Sequence, residues 1–242
     1  MQNQFDPRTT GVGPAATVGV PRAARDAGLR SYMLSVYNYM ASGVLLTGLV
    51  ALLFASSGLA EQVLNTPLRW LIMLAPLGFV MAMSFGLNRM TTGTLRTLFW
   101  AFAVTMGLSL SSIFLVYTGM SIAQTFFAVS AGFAGLSLYG YTTKRDLSGF
   151  GTFLIMGVIG LLVAMVINMF LQSPAMMMAI SAIGVLLFAG LTAYDTQKIK
   201  SMYAHVAGTD MMGKVVIMGA LNLYLDFINM FTFLLSFMGD RR

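Results

Sequence analysis

The chain has no cysteine, a single histidine (His205) and few charges: only 9% of its 242 residues are Asp, Glu, Lys or Arg. Each shortage excludes something. Without cysteine there are no disulfides, no thiol nucleophile and no thiolate metal site, and one histidine leaves no zinc site. No phosphate-binding glycine loop is present, nor a nucleophilic-serine motif paired with a buried histidine. The selectivity-filter sequence of potassium channels is also missing. An enzyme is therefore not expected, and neither is a cofactor. Because a soluble domain carries about 25% charged residues, so small a charged fraction points to a membrane protein.

Apolar residues make up 57% of the chain and gather into runs at 31–56, 68–88, 95–117, 120–142, 150–172, 174–197 and 214–238. Each is long enough to cross a hydrocarbon core of about 30 Å. The expected fold is an all-α integral membrane bundle of seven transmembrane helices over residues 31–242. Breaks fall at Asn65-Thr66-Pro67, Asn88-Arg89, Lys144-Arg145-Asp146 and Ser173-Pro174. Residues 1–30 are rich in Gly, Pro and Thr, and such a tail is expected to stay disordered.

The net charge of +6 would suit nucleic acid, but most basic residues flank the apolar runs. That placement reads as topology and contact with the lipid bilayer, so no nucleic-acid partner is expected. Eleven Lys and Arg fall on the side of the N-terminal tail and three on the other, which predicts a cytoplasmic N-terminus. With seven full spans the C-terminus lies outside; a re-entrant last segment would return Arg241-Arg242 to the cytoplasm. Small residues every four positions, at Gly43, Thr47, Ala51 and Ala55 and again at Ala128/Gly132 and Ala131/Gly135, are expected to pack helices closely. The 21 methionines read as filler, and the Gly107–Ser112 stretch reads as packing rather than a polar path.

Of the eight acidic residues, only Asp195 and Asp226 lie inside apolar runs. A carboxylate in the bilayer costs about 2.5–3.5 kcal/mol on insertion scales, which makes both functional candidates. Asn222, Asp226 and Asn229 are spaced by four and three and line one helical face, so the last helix should face protein or water and be central. The plainer alternative is interhelical polar glue. Asp195 precedes Lys198 by three residues and would pair with it at the interface. Arg89 would reach either acid or snorkel to headgroups, and His205 reads as a solvated loop residue. Counted from the expected helix ends, Asp226 is about 18 Å deep and Asp195 about 4 Å. A direct pair therefore requires the sixth helix to run past Lys200, or the seventh to begin nearer Ala220.

The run Ala220-Leu221-Asn222-Leu223-Tyr224-Leu225-Asp226-Phe227-Ile228-Asn229 resembles the last-helix signature of the transmembrane Bax inhibitor motif family. Ala193-Tyr194-Asp195-Thr196-Gln197 is similar to that family's sixth-helix motif, and the basic tail to that of bacterial members. The resemblance implies a seven-helix bundle with the last helix enclosed by six others. It further implies a pH-sensitive calcium leak of the bacterial inner membrane, with Asp195 and Asp226 as sensor and gate and Arg89 as a basic latch. Calcium wants six to eight oxygens, so two aspartates with the nearby Asn222 and Asn229 amides would make only a weak contact, suited to a permeating cation. Two carboxylates sharing a low-dielectric site cannot both ionise cheaply and titrate as a unit. Some bacterial relatives restrain an ATP-dependent membrane protease, so the alternative is a non-conducting interaction protein. An intramembrane aspartyl protease fits less well, because Tyr224-Leu225 stand where its second motif wants glycines.

Overall fold

The computed structural model describes residues 22–242. Eight helices follow one another: α1 (Arg22–Ser56), α2 (Leu59–Leu64), α3 (Leu68–Gly86), α4 (Thr92–Val116), α5 (Gly119–Thr142), α6 (Ser148–Leu171), α7 (Pro174–Val206) and α8 (Met211–Met238). All but the short α2 are long and apolar enough to cross a membrane. This is the all-helical, seven-span architecture expected. Of the tail expected to lack structure, residues 1–21 lie outside the described residues, while α1 starts at Arg22, ahead of the expected boundary at 31.

The connections end where local chemistry stops a helix. Thr91, Thr118 and Ser173 cap α4, α5 and α7, their hydroxyls accepting from the backbone N–H of Thr94, Ser121 and Met176. Pro174 occupies the first turn of α7, where a missing N–H costs nothing. At the end of α6, Gln172 takes a left-handed conformation (φ 50°), and the Asn168 side chain accepts from Ser173 N–H.

Two further boundaries differ from the expected ones. α7 continues past the end of its apolar run to Val206, so His205 lies exposed in the last turn of a helix rather than in a loop. Hydropathy marks where lipid ends, not where a helix ends. The Lys200 ammonium, near that limit, donates to the Tyr141 carbonyl (2.6 Å) and sits 4.9 Å from the centre of the Tyr141 ring. α8 is one uninterrupted helix from Met211, long and apolar enough for a full crossing. Its far end is tied down. Thr118 N–H donates to Asp240 O, Arg242 N–H to Val116 O, and Asp240 N–H to the Ser121 hydroxyl.

α8 packs against α7, α1, α5 and α4. In the most apolar 18-residue stretch of each span, 67% of α8 is buried, against 11–33% in the other six. Glycines set the close approaches. At Gly107 a Cβ would lie 2.7 Å from the Thr47 carbonyl of α1, and at Gly140 it would collide with the Ala193 carbonyl of α7. Gly43, in the α1 stripe, lies against the Phe99 and Tyr224 rings. The α5 stripe departs from expectation: Ala128, Ala131, Gly132 and Gly135 face outward, with open space beside both glycines. α5 instead buries Ser121, Thr125, Val129, Phe133, Ser137 and Gly140, because a hydroxyl gains more from protein partners than from lipid.

Candidate functional site

α7 and α8 run antiparallel, and two close approaches fix their register. Gly184 lies under the Phe233 ring, and Gly219 lies against Ile199, where a Cβ would be 3.3 Å away. Residues between these points are thereby matched. Thr192 is level with Asp226, and Asn222 or Leu223 is level with Asp195. The two aspartates thus differ in height by about one helical turn, roughly 5 Å. The helix ends agree: 11 residues separate Asp195 from Val206, and 15 separate Met211 from Asp226, which again differ by about 6 Å. The larger depth mismatch expected from the sequence is removed by the extension of α7 beyond Lys200.

Asp226 is only 4% exposed, and among the described residues nothing hydrogen-bonds its Oδ2. A buried polar atom without a partner is costly and marks a place under functional constraint. Asp195 is half-buried on α7. Its candidate partner Lys198 is exposed and lies over the Tyr194 ring, 5.8 Å to the centre. Asn222 and Asn229 are half-buried on the face of α8 that carries Asp226. The Asn229 amide donates to Leu225 O of its own helix (2.8 Å). Arg89 is exposed in the turn after α3, and among the described residues no hydrogen bond joins it to either aspartate. No group of three His, Cys, Asp or Glu able to hold a metal occurs among the described residues.

Two buried hydroxyl chains flank this region, and the sequence reading did not anticipate them. The Thr47 hydroxyl donates to Ala103 O (2.8 Å), which leaves the Tyr224 hydroxyl to donate to Thr47 Oγ1 (2.7 Å). This joins α1, α4 and α8 two residues from Asp226. The second chain links Tyr37 Oη to Ser137 Oγ (2.7 Å) and Ser137 Oγ to Thr196 Oγ1 (2.9 Å), across α1, α5 and α7, beside Asp195. The available signal was the hydroxyls at Ser121, Thr125 and Ser137, separated by four and twelve residues and so in one four-residue register, like the small-residue stripe one face away. Gln197 secures the connection after α5, donating to Arg145 O and accepting from Leu147 N–H. In the same connection the Ser148 hydroxyl and amide hold the Asp146 carboxyl below its usual range.

The fold and the buried acid define a multi-pass helical membrane protein with an ionisable group at its most enclosed helix. Residues 29–242 match the family described as "Inhibitor of apoptosis-promoting Bax1", and the chain belongs to that family. It is 50% identical over 219 residues to an uncharacterized protein of Rickettsia prowazekii, covering 90% of this chain and 92% of the relative. It is 47% identical over 220 residues to the inner membrane protein YbhL of Escherichia coli, covering 89% and 94%. An uncharacterized protein of Caulobacter vibrioides is 45% identical over 228 residues, covering 90% and 91%.

Proposed function

We propose that the protein is a pH-sensitive cation leak, with calcium as the favoured ion, in a bacterial inner membrane, and that Asp195 and Asp226 form its sensor and gate. The observation that carries this reading is Asp226: a buried carboxyl with an unpartnered oxygen in the least lipid-exposed span, one turn from a second carboxyl on the facing helix. Such a group is held neutral by a proton or satisfied by a partner that comes and goes. A proton shared between the two acids ties α7 to α8, and its loss leaves two like charges that push the helices apart. α8 then acts as the central helix of the bundle. The excess of Lys and Arg on the N-terminal side orients that terminus to the cytoplasm. The inner membrane is the location that YbhL's name gives for that relative. Arg89, exposed in the turn after α3, is the candidate basic latch.

Calcium flux into proteoliposomes across a pH series tests the reading. Asp195→Asn and Asp226→Asn should each flatten the pH dependence, and the double variant should match either single one, because groups that act as a unit are not additive. Unchanged gating in Asp195→Asn would sink the shared proton. Absence of flux at every pH would leave the non-conducting regulator of a membrane protease.

A further inference from the structure

α1 packs along α4 and α8, while α5 packs along α7 and α8. Between α1 and α5 lies a cleft of about 380 Å³, bridged by the Tyr37–Ser137 hydrogen bond. Its walls are apolar, with Leu34 on one side and Ala134 and Leu138 on the other, all of them exposed. Arg30 stands at the end nearest the start of α1, seven residues or roughly 10 Å from Tyr37 along the helix. Tyr141 lines the same end, and the Lys200 ammonium lies against it. Arg30 is thus the cation that lines the cleft, and no acid lines it; Lys200 lines the neighbouring groove on the far side of Tyr141. Asp26, one turn before Arg30, lines the neighbouring groove.

In a bilayer a cleft open to the side is filled, since its apolar walls would otherwise forfeit their contacts. Its shape is that of an amphiphile: apolar along its length, cationic at one end, and hydroxylated at its floor. We infer that the α1–α5 cleft is a binding site for one anionic phospholipid. The phosphodiester sits at Arg30 with Lys200 nearby, and one acyl chain lies between Leu34 and Leu138. Arg25, Lys144, Arg145, Lys198 and Lys200 line the grooves at the same end of the bundle as the mouth of this cleft, matching the charge of an anionic leaflet. The occupant would cover the Tyr37–Ser137–Thr196 hydroxyl chain from the side. The inference stands apart from the proposed leak, because its readout is lipid retention and not flux.

Native mass spectrometry of the full chain, released from micelles doped with phosphatidylglycerol or phosphatidylcholine, is the test. The wild type should retain one phosphatidylglycerol in clear preference to phosphatidylcholine. Arg30→Gln should lose about fivefold of that preference, the effect of one basic residue near an anionic surface. Ala134→Trp, at an exposed position, should fill the cleft and abolish retention while thermal unfolding stays unchanged. Inorganic phosphate at millimolar concentration should not displace the lipid. Equal retention of both lipids by the wild type, wild-type retention in Ala134→Trp, or displacement by inorganic phosphate would each overturn the assignment.

Discussion

α6 and α8 are opposites. α6 is the most apolar span, with a mean hydropathy of 2.6, yet only 11% of its central stretch is buried; α8 has 1.5 and 67%. In water the ranking would be reversed. In a bilayer the surroundings are as apolar as leucine, so hydropathy records contact with lipid and not enclosure by protein. What α8 gains from its neighbours is shape and polar satisfaction. Phe227 meets Phe126 and Phe133 edge-on with ring centres 5.7 and 5.6 Å away, and Tyr224 meets Phe102 at 5.0 Å.

The contrast is sharpest in paired substitutions. Phe227→Ala on α8 should cost about 3–5 kcal/mol, the usual loss for a buried aromatic. Phe170→Ala on α6, where the ring is 78% exposed, should stay within about 0.5 kcal/mol. Thermal or denaturant unfolding in a single membrane mimetic measures both, and equal losses would erase the distinction between the two helices. The same test works within one helix. Gly140→Val drives a side chain into the Ala193 carbonyl and should cost about 1–3 kcal/mol, as overpacking does. Gly135→Val meets open space and should leave the midpoint where it was.

Smaller effects refine the polar side of the comparison. Tyr224→Phe removes one hydroxyl from the Thr47–Ala103 chain and should cost about 0.6 kcal/mol, the average for such bonds between spans. Asp146→Asn should have the least effect, and only with a pH signature. The folded carboxyl titrates below its ordinary value of 3.8, so its contribution is complete above that value and is lost as the pH falls through the folded one. Protection of the Ser148 amide from hydrogen exchange, relative to its intrinsic rate at each pH, should therefore fall in acid in the wild type, and show no such step in the variant.

The breaks between spans were legible because Asn, Pro and Lys-Arg pairs stand where the chain must leave the lipid. Asp226 was legible as well, since an acid inside an apolar run has a cost that packing alone does not explain. The height of Asp195 was not: it depends on six residues of α7 beyond Lys200, whose polarity reads as a loop although the helix persists. The outward face of Ala128, Ala131, Gly132 and Gly135 was hidden for another reason. Small and hydroxylated residues repeat on α5 with the same period, and periodicity identifies faces without saying which one meets protein. That Tyr37, Ser137 and Thr196 join across three helices is a fact of tertiary arrangement that no local pattern carries.

Hydrogen bonds of residues 240–242 to Val116, Thr118 and Ser121 fasten one end of α8 through its backbone, while the other end is held by the Lys214 side chain on the Leu87 carbonyl. A rod so held is a lever. Its fulcrum lies near Met238, and Asp226 sits 12 residues away, an arm of about 18 Å. Tilting α8 by a few degrees about that point moves Asp226 by about 1–2 Å, while Met211, on an arm of about 40 Å, travels more than twice as far. A tilt so pivoted would displace most the end where Lys214 reaches the Leu87 carbonyl and least the end where Arg241 lies over Tyr117.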